Sequence, residues 1–203
     1  LISVMAVLVR ATTGLAGGTA YQTTFYRFAI GAVIVAMVLA ARRVMPRPRN
    51  WRWLLIRGAC GSGAMLIYFH SITRLGLAKG TILLYTNVIW AALLAPLLLR
   101  ERVGGRLWVS VGLAFAGVSL VLAPTGGVGA ISRDDALALA AGFVGGVAVV
   151  AIKKVRETDD TSTVFLALGG CGIALTAAPA VRAGASFSPQ VWALFLGIGA
   201  SGT

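Results

Sequence analysis

Six stretches of 17 to 19 residues, at 23–41, 54–72, 81–99, 107–123, 136–152 and 163–181, carry at most one Lys, Arg, Asp or Glu each. About 20 mostly apolar residues are what a helix needs to cross the hydrocarbon core of a bilayer, with a range of about 17 to 25. Two shorter apolar stretches, 1–9 and 191–201, read as the rear half and front half of further spans. A cleaved signal peptide would leave one such stretch near the start. The chain therefore reads as an all-α, polytopic membrane helix bundle. Only 12% of the residues are charged and 58% are hydrophobic, against roughly 25% charged in a soluble domain.

The formal net charge of +12 would suggest nucleic acid if the cations formed one soluble face. They do not. Twelve of the 18 Lys and Arg fall in one alternate set of loops: Arg42, Arg43, Arg47, Arg49, Arg52 and Arg57, then Arg100, Arg102 and Arg106, then Lys153, Lys154 and Arg156. Arg74, Lys79, Arg133 and Arg182 make up the other set. Positive residues stay on the cytoplasmic side of a membrane. The split places the Arg42 to Arg57 loop and the N-terminus in the cytoplasm. Topology accounts for the charge, and no nucleic-acid partner is expected.

An internal repeat lies at an offset of 141. Residues 48–62 (PRNWRWLLIRGACGS) align with 189–203 (PQVWALFLGIGASGT), sharing Pro, Trp, Leu, Gly, Ala and Gly at six of fifteen positions. A weaker match sets Thr23-Thr24-Phe25 over Thr163-Val164-Phe165 at an offset of 140. The repeating unit holds five spans, an odd number, so the second copy enters from the opposite side and the two copies are inverted. Inverted repeats are a mark of secondary transporters, whose sites lie near the midplane between the halves. The expected organisation is a first repeat over 1–124, with an incomplete first helix, and a second over 125–203, truncated after the start of its third helix. On this reading the chain is an internal fragment of a ten-helix protein.

The segment Leu83-Leu-Tyr85-Thr86-Asn87-Val88-Ile89-Trp90, with Pro96 and Glu101 following, resembles the fourth helix of the EamA domain in the drug/metabolite transporter superfamily. Val111-Gly112 through Gly117 resembles its Gly-rich fifth helix, and Phe25-Tyr26-Arg27-Phe28 the arginine-bearing start of its second. Two positions depart from the family pattern: Val88 stands where the family has a mid-helix proline, and Arg100 where it has a glycine. Valine removes an expected kink. The resemblance implies a transporter of a small organic metabolite or drug-like solute, working by alternating access. The alternative class is a membrane-embedded enzyme acting on a lipid or peptide.

The residues that could carry an enzyme do not assemble in the sequence. Ser62 and His70 share one span about 12 Å apart along the axis, too far for a nucleophile and its base. Asp134-Asp135 and Asp159-Asp160 fall in loops on opposite faces and cannot share a metal cluster. Cys60 and Cys171 have neither metal nor disulfide spacing. No cofactor or metal is expected. All six acidic residues read as loop residues, so exchange, facilitated transport, or proton coupling through residues elsewhere is expected. Glu101 reads as a surface charge or loop tether.

The candidate substrate site is Tyr85, Asn87 and Trp90, with Tyr68, His70 and Arg27 nearby. A side-chain amide in hydrocarbon is costly without a partner, and Asn87 and Trp90, three apart, share a helix face. Each has a plainer reading. Asn87 and Trp90 could make helix–helix contacts, His70 with Tyr68 could sit at the interface, and Arg27 could snorkel to the headgroups. The expected partners are a small-molecule substrate and the lipid bilayer, with a homodimer as one assembly. The expected location is the plasma or inner membrane.

Overall fold

The structure is a computed structural model. It describes residues 20–43, 48–99, 104–122 and 132–183. The partial stretches 1–9 and 191–201, Arg10, Glu101 and the second copy of the repeat at 189–203 lie outside the described residues. Among the described residues there are six helices: α1 (Ala20–Arg42), α2 (Trp51–Leu75), α3 (Leu77–Leu99), α4 (Gly105–Leu122), α5 (Arg133–Val155) and α6 (Thr161–Arg182). Each coincides with one of the six apolar stretches, and the described residues contain no strand. The chain is a polytopic helical membrane protein.

Helices α1, α3, α5 and α6 are long and apolar enough to cross a membrane. With 25 residues, α2 spans about 37 Å but is more polar. Its position explains this. It packs against α1, α3, α5 and α6, so much of its surface meets protein rather than lipid. By contrast α4 packs on α3 and exposes Trp108, Val109, Leu113 and Leu120, a surface suited to hydrocarbon.

Two of the six sequence-expected loops differ in the structure. Helices α2 and α3 are joined by Gly76 alone, at φ +82°, in the left-handed region that favours glycine. Arg74 and Lys79 therefore sit on helix rather than in a loop. Asp134 and Asp135, expected in a loop, occupy the first turn of α5. A capping box fixes that start: Ser132 Oγ accepts from the Asp135 N–H at 3.1 Å, and Asp135 Oδ2 accepts from the Ser132 N–H at 3.3 Å.

One polar tie closes each end of the bundle. At one end Lys79 Nζ lies 2.8 Å from Asp135 Oδ1 and 3.0 Å from Oδ2, joining the starts of α3 and α5. At the other end the Arg49 and Asn50 N–H groups donate to the two Asp159 carboxylate oxygens at 2.7 and 3.2 Å. This joins the start of α2 to the α5–α6 loop. The two Asp pairs thus lie at opposite ends, and among the described residues Arg49, Arg52, Lys153, Lys154 and Arg156 gather at the Asp159 end. Each end has its own apolar cluster. Ala20, Tyr68, Phe69 and Ile72 pack together beside Met65 and Leu77. Leu54, Val155 and Val164 pack beside Trp53 and Ala167.

Between the ends, glycines set the spacing. Helices in lipid gain little from hydrophobic association and approach through small residues. On α5, Gly142 receives Thr86, Gly145 receives Asn87, and Gly146 receives Trp90 and the α3 backbone. On α6, Gly169 meets Ala32 and Gly172 meets the Phe28 ring. The contact register of α6 falls as that of α1 rises, so these two helices run antiparallel and meet near their middles. They start 141 residues apart and end 140 apart. Thr23, Thr24, Thr163 and Val164 are all buried.

Two outcomes are expected. A Cβ at Gly146 would stand 2.5 Å from Trp90 Cβ and 3.0 Å from the Ala91 nitrogen, so Gly146→Ala should cost about 1–3 kcal/mol. Gly117→Ala, with open space around it, should leave thermal unfolding in lipid discs unchanged; equal melting of both variants would contradict the packing. The second outcome concerns Asp159. Burial pushes its carboxyl up, but the Thr158 hydroxyl, the Arg49 and Asn50 amides and the Arg49 charge together hold it below the ordinary carboxylate value. Its contribution is present above the unfolded value of about 3.9 and is lost as pH falls through the folded value. Asp159→Asn should lower stability at neutral pH and flatten the decline below about pH 4, read as unfolding midpoint against pH.

Candidate functional site

The α3 helix divides the candidate residues between two faces. Asn87 and Trp90 point at α5. Asn87 Cβ lies 3.1 Å from where a Gly145 Cβ would be, and the Trp90 ring stands edge-on to Phe143 of α5 and Phe115 of α4, at 5.2 and 6.0 Å between centroids. The result is an aromatic corner among three helices. Within it Asn87 Oδ1 and Trp90 Nε1 are both buried and have no hydrogen-bond partner among the described residues. One is an acceptor and the other a donor. Such a pair normally costs free energy, and a ligand offering one donor and one acceptor would satisfy both.

Tyr85 departs from this group. Two residues before Asn87, it lies about 200° round the helix and is 47% exposed. It keeps electrostatic company with Tyr68, which also feels Arg27. Tyr68, Tyr85 and Arg27 thus form a second group, on the α1 and α2 side of α3. The Arg27 guanidinium lies over the Phe28 ring at 5.8 Å. Tyr68 is almost fully buried, and its hydroxyl lies 3.1 Å from Thr81 Oγ1. Thr81 already donates its only hydroxyl proton to the Leu77 carbonyl at 2.6 Å. Tyr68 is therefore the donor. His70, two residues on in α2, is turned about 200° from Tyr68 and is half-buried.

Several participants were not singled out by sequence. Phe115 and Phe143 form walls around Trp90, and Thr86 is buried against Gly142. The glycines at 142, 145 and 146 show the i, i+3, i+4 spacing of a close helix contact, which the sequence does display. Arg57, counted with the loop cations, lies in the second turn of α2 and lines a cavity. Ser62 donates its hydroxyl to the Gly58 carbonyl at 2.7 Å, so its proton is held by the helix backbone.

Removing the Tyr68 hydroxyl tests the second group. Tyr68→Phe should cost about 0.5–1.5 kcal/mol, since Thr81 keeps its bond to Leu77. A loss above about 3 kcal/mol in thermal unfolding would mean that Tyr68 holds more than this one bond.

Comparison with known proteins points in one direction. The sequence profile described as the EamA-like transporter family matches residues 2–123. A protein of Helicobacter pylori strain J99 described as an uncharacterized transporter is 29% identical over 119 residues, 58% of this chain and 39% of that protein. A Pseudomonas aeruginosa protein described as the pseudopaline exporter CntI is 25% identical over 122 residues, 60% of this chain and 42% of that protein. The match spans about two-fifths of the length of these relatives. One crystal structure shares the fold with a TM-score of 0.62 and 21% identity, over 98% of this chain and 72% of the other.

Proposed function

The chain belongs to the EamA-like transporter family, and on that premise we propose that it moves a small organic solute across a membrane by alternating access. The observation that carries this reading is the unpartnered pair at the α3–α5 contact, Asn87 Oδ1 and Trp90 Nε1. On the two-repeat reading, α3 belongs to the first half of the protein and α5 to the second. A solute bound by that pair, both on α3, would sit against the glycine face of α5 at the boundary between the halves. Aromatic walls with a few polar anchors suit small organic ligands.

The near-identical offsets of the α1 and α6 ends support the division into repeats at 1–124 and 125–203, inverted through an axis in the membrane plane. The gathering of basic loops at the Asp159 end supports a cytoplasmic face there, with the N-terminus on the same side. The relative described as a pseudopaline exporter supports an organic solute as cargo. Arg27, Tyr68 and Tyr85, on α1, α2 and α3, form a second polar group suited to a waiting position. His70 is kept as a wall residue of the same region. The expected assembly is in the plasma or inner membrane, with a homodimer as one form.

The test is flux in vesicles by the intact protein, screened with amino acids, nucleotide-related metabolites and drugs. Asn87→Leu should change KM or selectivity at least tenfold while insertion stays normal. Leu98→Ala, toward the other end of α3, should transport like the parent. If Asn87→Leu transports like the parent, or a cysteine at 87 stays closed to water-borne thiol reagents in every state, Asn87 is a helix contact only.

A further inference from the structure

Arg57 is the residue whose geometry departs furthest from its expected role. As a topological anchor it would extend toward the basic end of the bundle, the end nearest to it. Helical Cα–Cβ bonds already tilt toward the helix N-terminus, so that path is the easy one. The side chain does the opposite. One guanidinium nitrogen, Nη1, occupies the space a Gly61 side chain would fill, one turn deeper along α2. Gly61 lies about 15 Å along the axis from Trp51. The Arg57 Nε is buried and has no hydrogen-bond partner among the described residues.

The guanidinium borders a cavity of about 190 Å³, room for about six waters at roughly 30 Å³ each. Its polar lining is Arg57, Arg156 and Thr161, and its walls include Ile152, Val164 and Phe165. Among the described residues no carboxylate lines it. The acidic residues of the adjoining loop are committed elsewhere or stand aside. Asp159 accepts from Arg49, Asn50 and Thr158, and Glu157 pairs with Lys154 at 2.8 Å. Asp160 is the N-cap of α6, and its side chain makes no capping bond. The first N–H groups of α6, at the Thr161 edge of the cavity, therefore lack a side-chain cap, and a helix N-terminus favours negative charge. The repeat sharpens the point. Pro48, Trp51, Gly58 and Gly61 recur in the second copy, but Arg57 aligns with Ile198. The shared positions shape the helix, and the charge belongs to one half alone.

We propose that this cavity, between α2, α5 and α6, is an oxyanion site that takes the carboxylate or phosphate of a small solute entering from the basic face. Arg57 and Arg156 supply charge-assisted donors, Thr161 adds a hydroxyl, and the apolar walls hold the solute body. Gly61 is part of the site, because its missing side chain seats the guanidinium. The proposal rests on the transport reading above only in treating the bound solute as cargo.

The test uses the intact protein with Cys60→Ala and Cys171→Ala, a single cysteine introduced by Thr161→Cys, and reconstitution in phosphatidylcholine discs. Labelling rates are measured with an anionic and a cationic methanethiosulfonate reagent, each scaled to its rate with a free thiol. The anionic reagent should react at least tenfold faster, and millimolar succinate or inorganic phosphate should slow it at least threefold. Arg57→Gln should abolish both effects and Arg57→Lys should retain the preference. Gly61→Ala, which leaves every charge in place, should abolish the protection. Equal scaled rates, or protection that survives Arg57→Gln, overturn the site. A lipid headgroup is the other source of such an oxyanion. If phosphatidylglycerol discs protect the cysteine while soluble anions do not, the solute assignment is overturned. Flux is read on the same variants reconstituted in phosphatidylcholine vesicles. Protection without flux of any solute defeats the transport reading and leaves the site standing, whereas flux without protection defeats the site alone.

Discussion

The close approach of α3 and α5 is the contact on which the rest of the bundle depends. In a bilayer the hydrophobic effect does not press helices together, so association rests on van der Waals packing and on the polar groups that packing encloses. Gly142, Gly145 and Gly146 leave the α5 surface flat enough for α3 to lay Thr86, Asn87 and Trp90 against it. That proximity brings Phe143 and, through α4, Phe115 onto the Trp90 ring. It also explains how an amide oxygen and an indole N–H come to be buried without partners. The same seam that supplies packing thus encloses the polar pair.

The two end ties divide the labour differently. Lys79 with Asp135 fixes α3 to α5 beyond the glycine seam, and Asp159 with the Arg49 and Asn50 amides fixes α2 to the α5–α6 loop. Each tie lies at an end of the bundle, and the α3–α5 and α1–α6 contacts between the ends are made by small residues. A transporter must exchange two arrangements of packed helices, and contacts made by small residues re-form without a large penalty. The Asp159 tie also frees the mouth of the Arg57 cavity from a competing carboxylate, which links the packing of that end to its electrostatics.

Arg57 and Arg27 show why counting charges along a chain describes topology better than sites. Both are cations near the start of an apolar stretch, and their position along the chain does not distinguish their surroundings. In three dimensions Arg27 stacks on its neighbour Phe28 within reach of Tyr68, whereas Arg57 turns inward over Gly61 into a cavity. The distinction depends on rotamer and on the empty volume left by one glycine.

The sequence alone was enough to read the number and approximate extent of the six described helices, and the family. Each follows from local or near-local pattern: the length of apolar stretches and motifs along one helix. The pairing of Asn87 with Trp90 was legible for the same reason, since three residues along a helix always share a face. Only the tertiary structure separated Tyr85 from that pair and assigned Thr81 to Tyr68. It also gave the glycines of α5 their partners and turned Arg57 inward. Those outcomes depend on which helix lies opposite which face, and that choice is made by the fit of whole surfaces, which for the α3–α5 seam joins residues more than 50 positions apart.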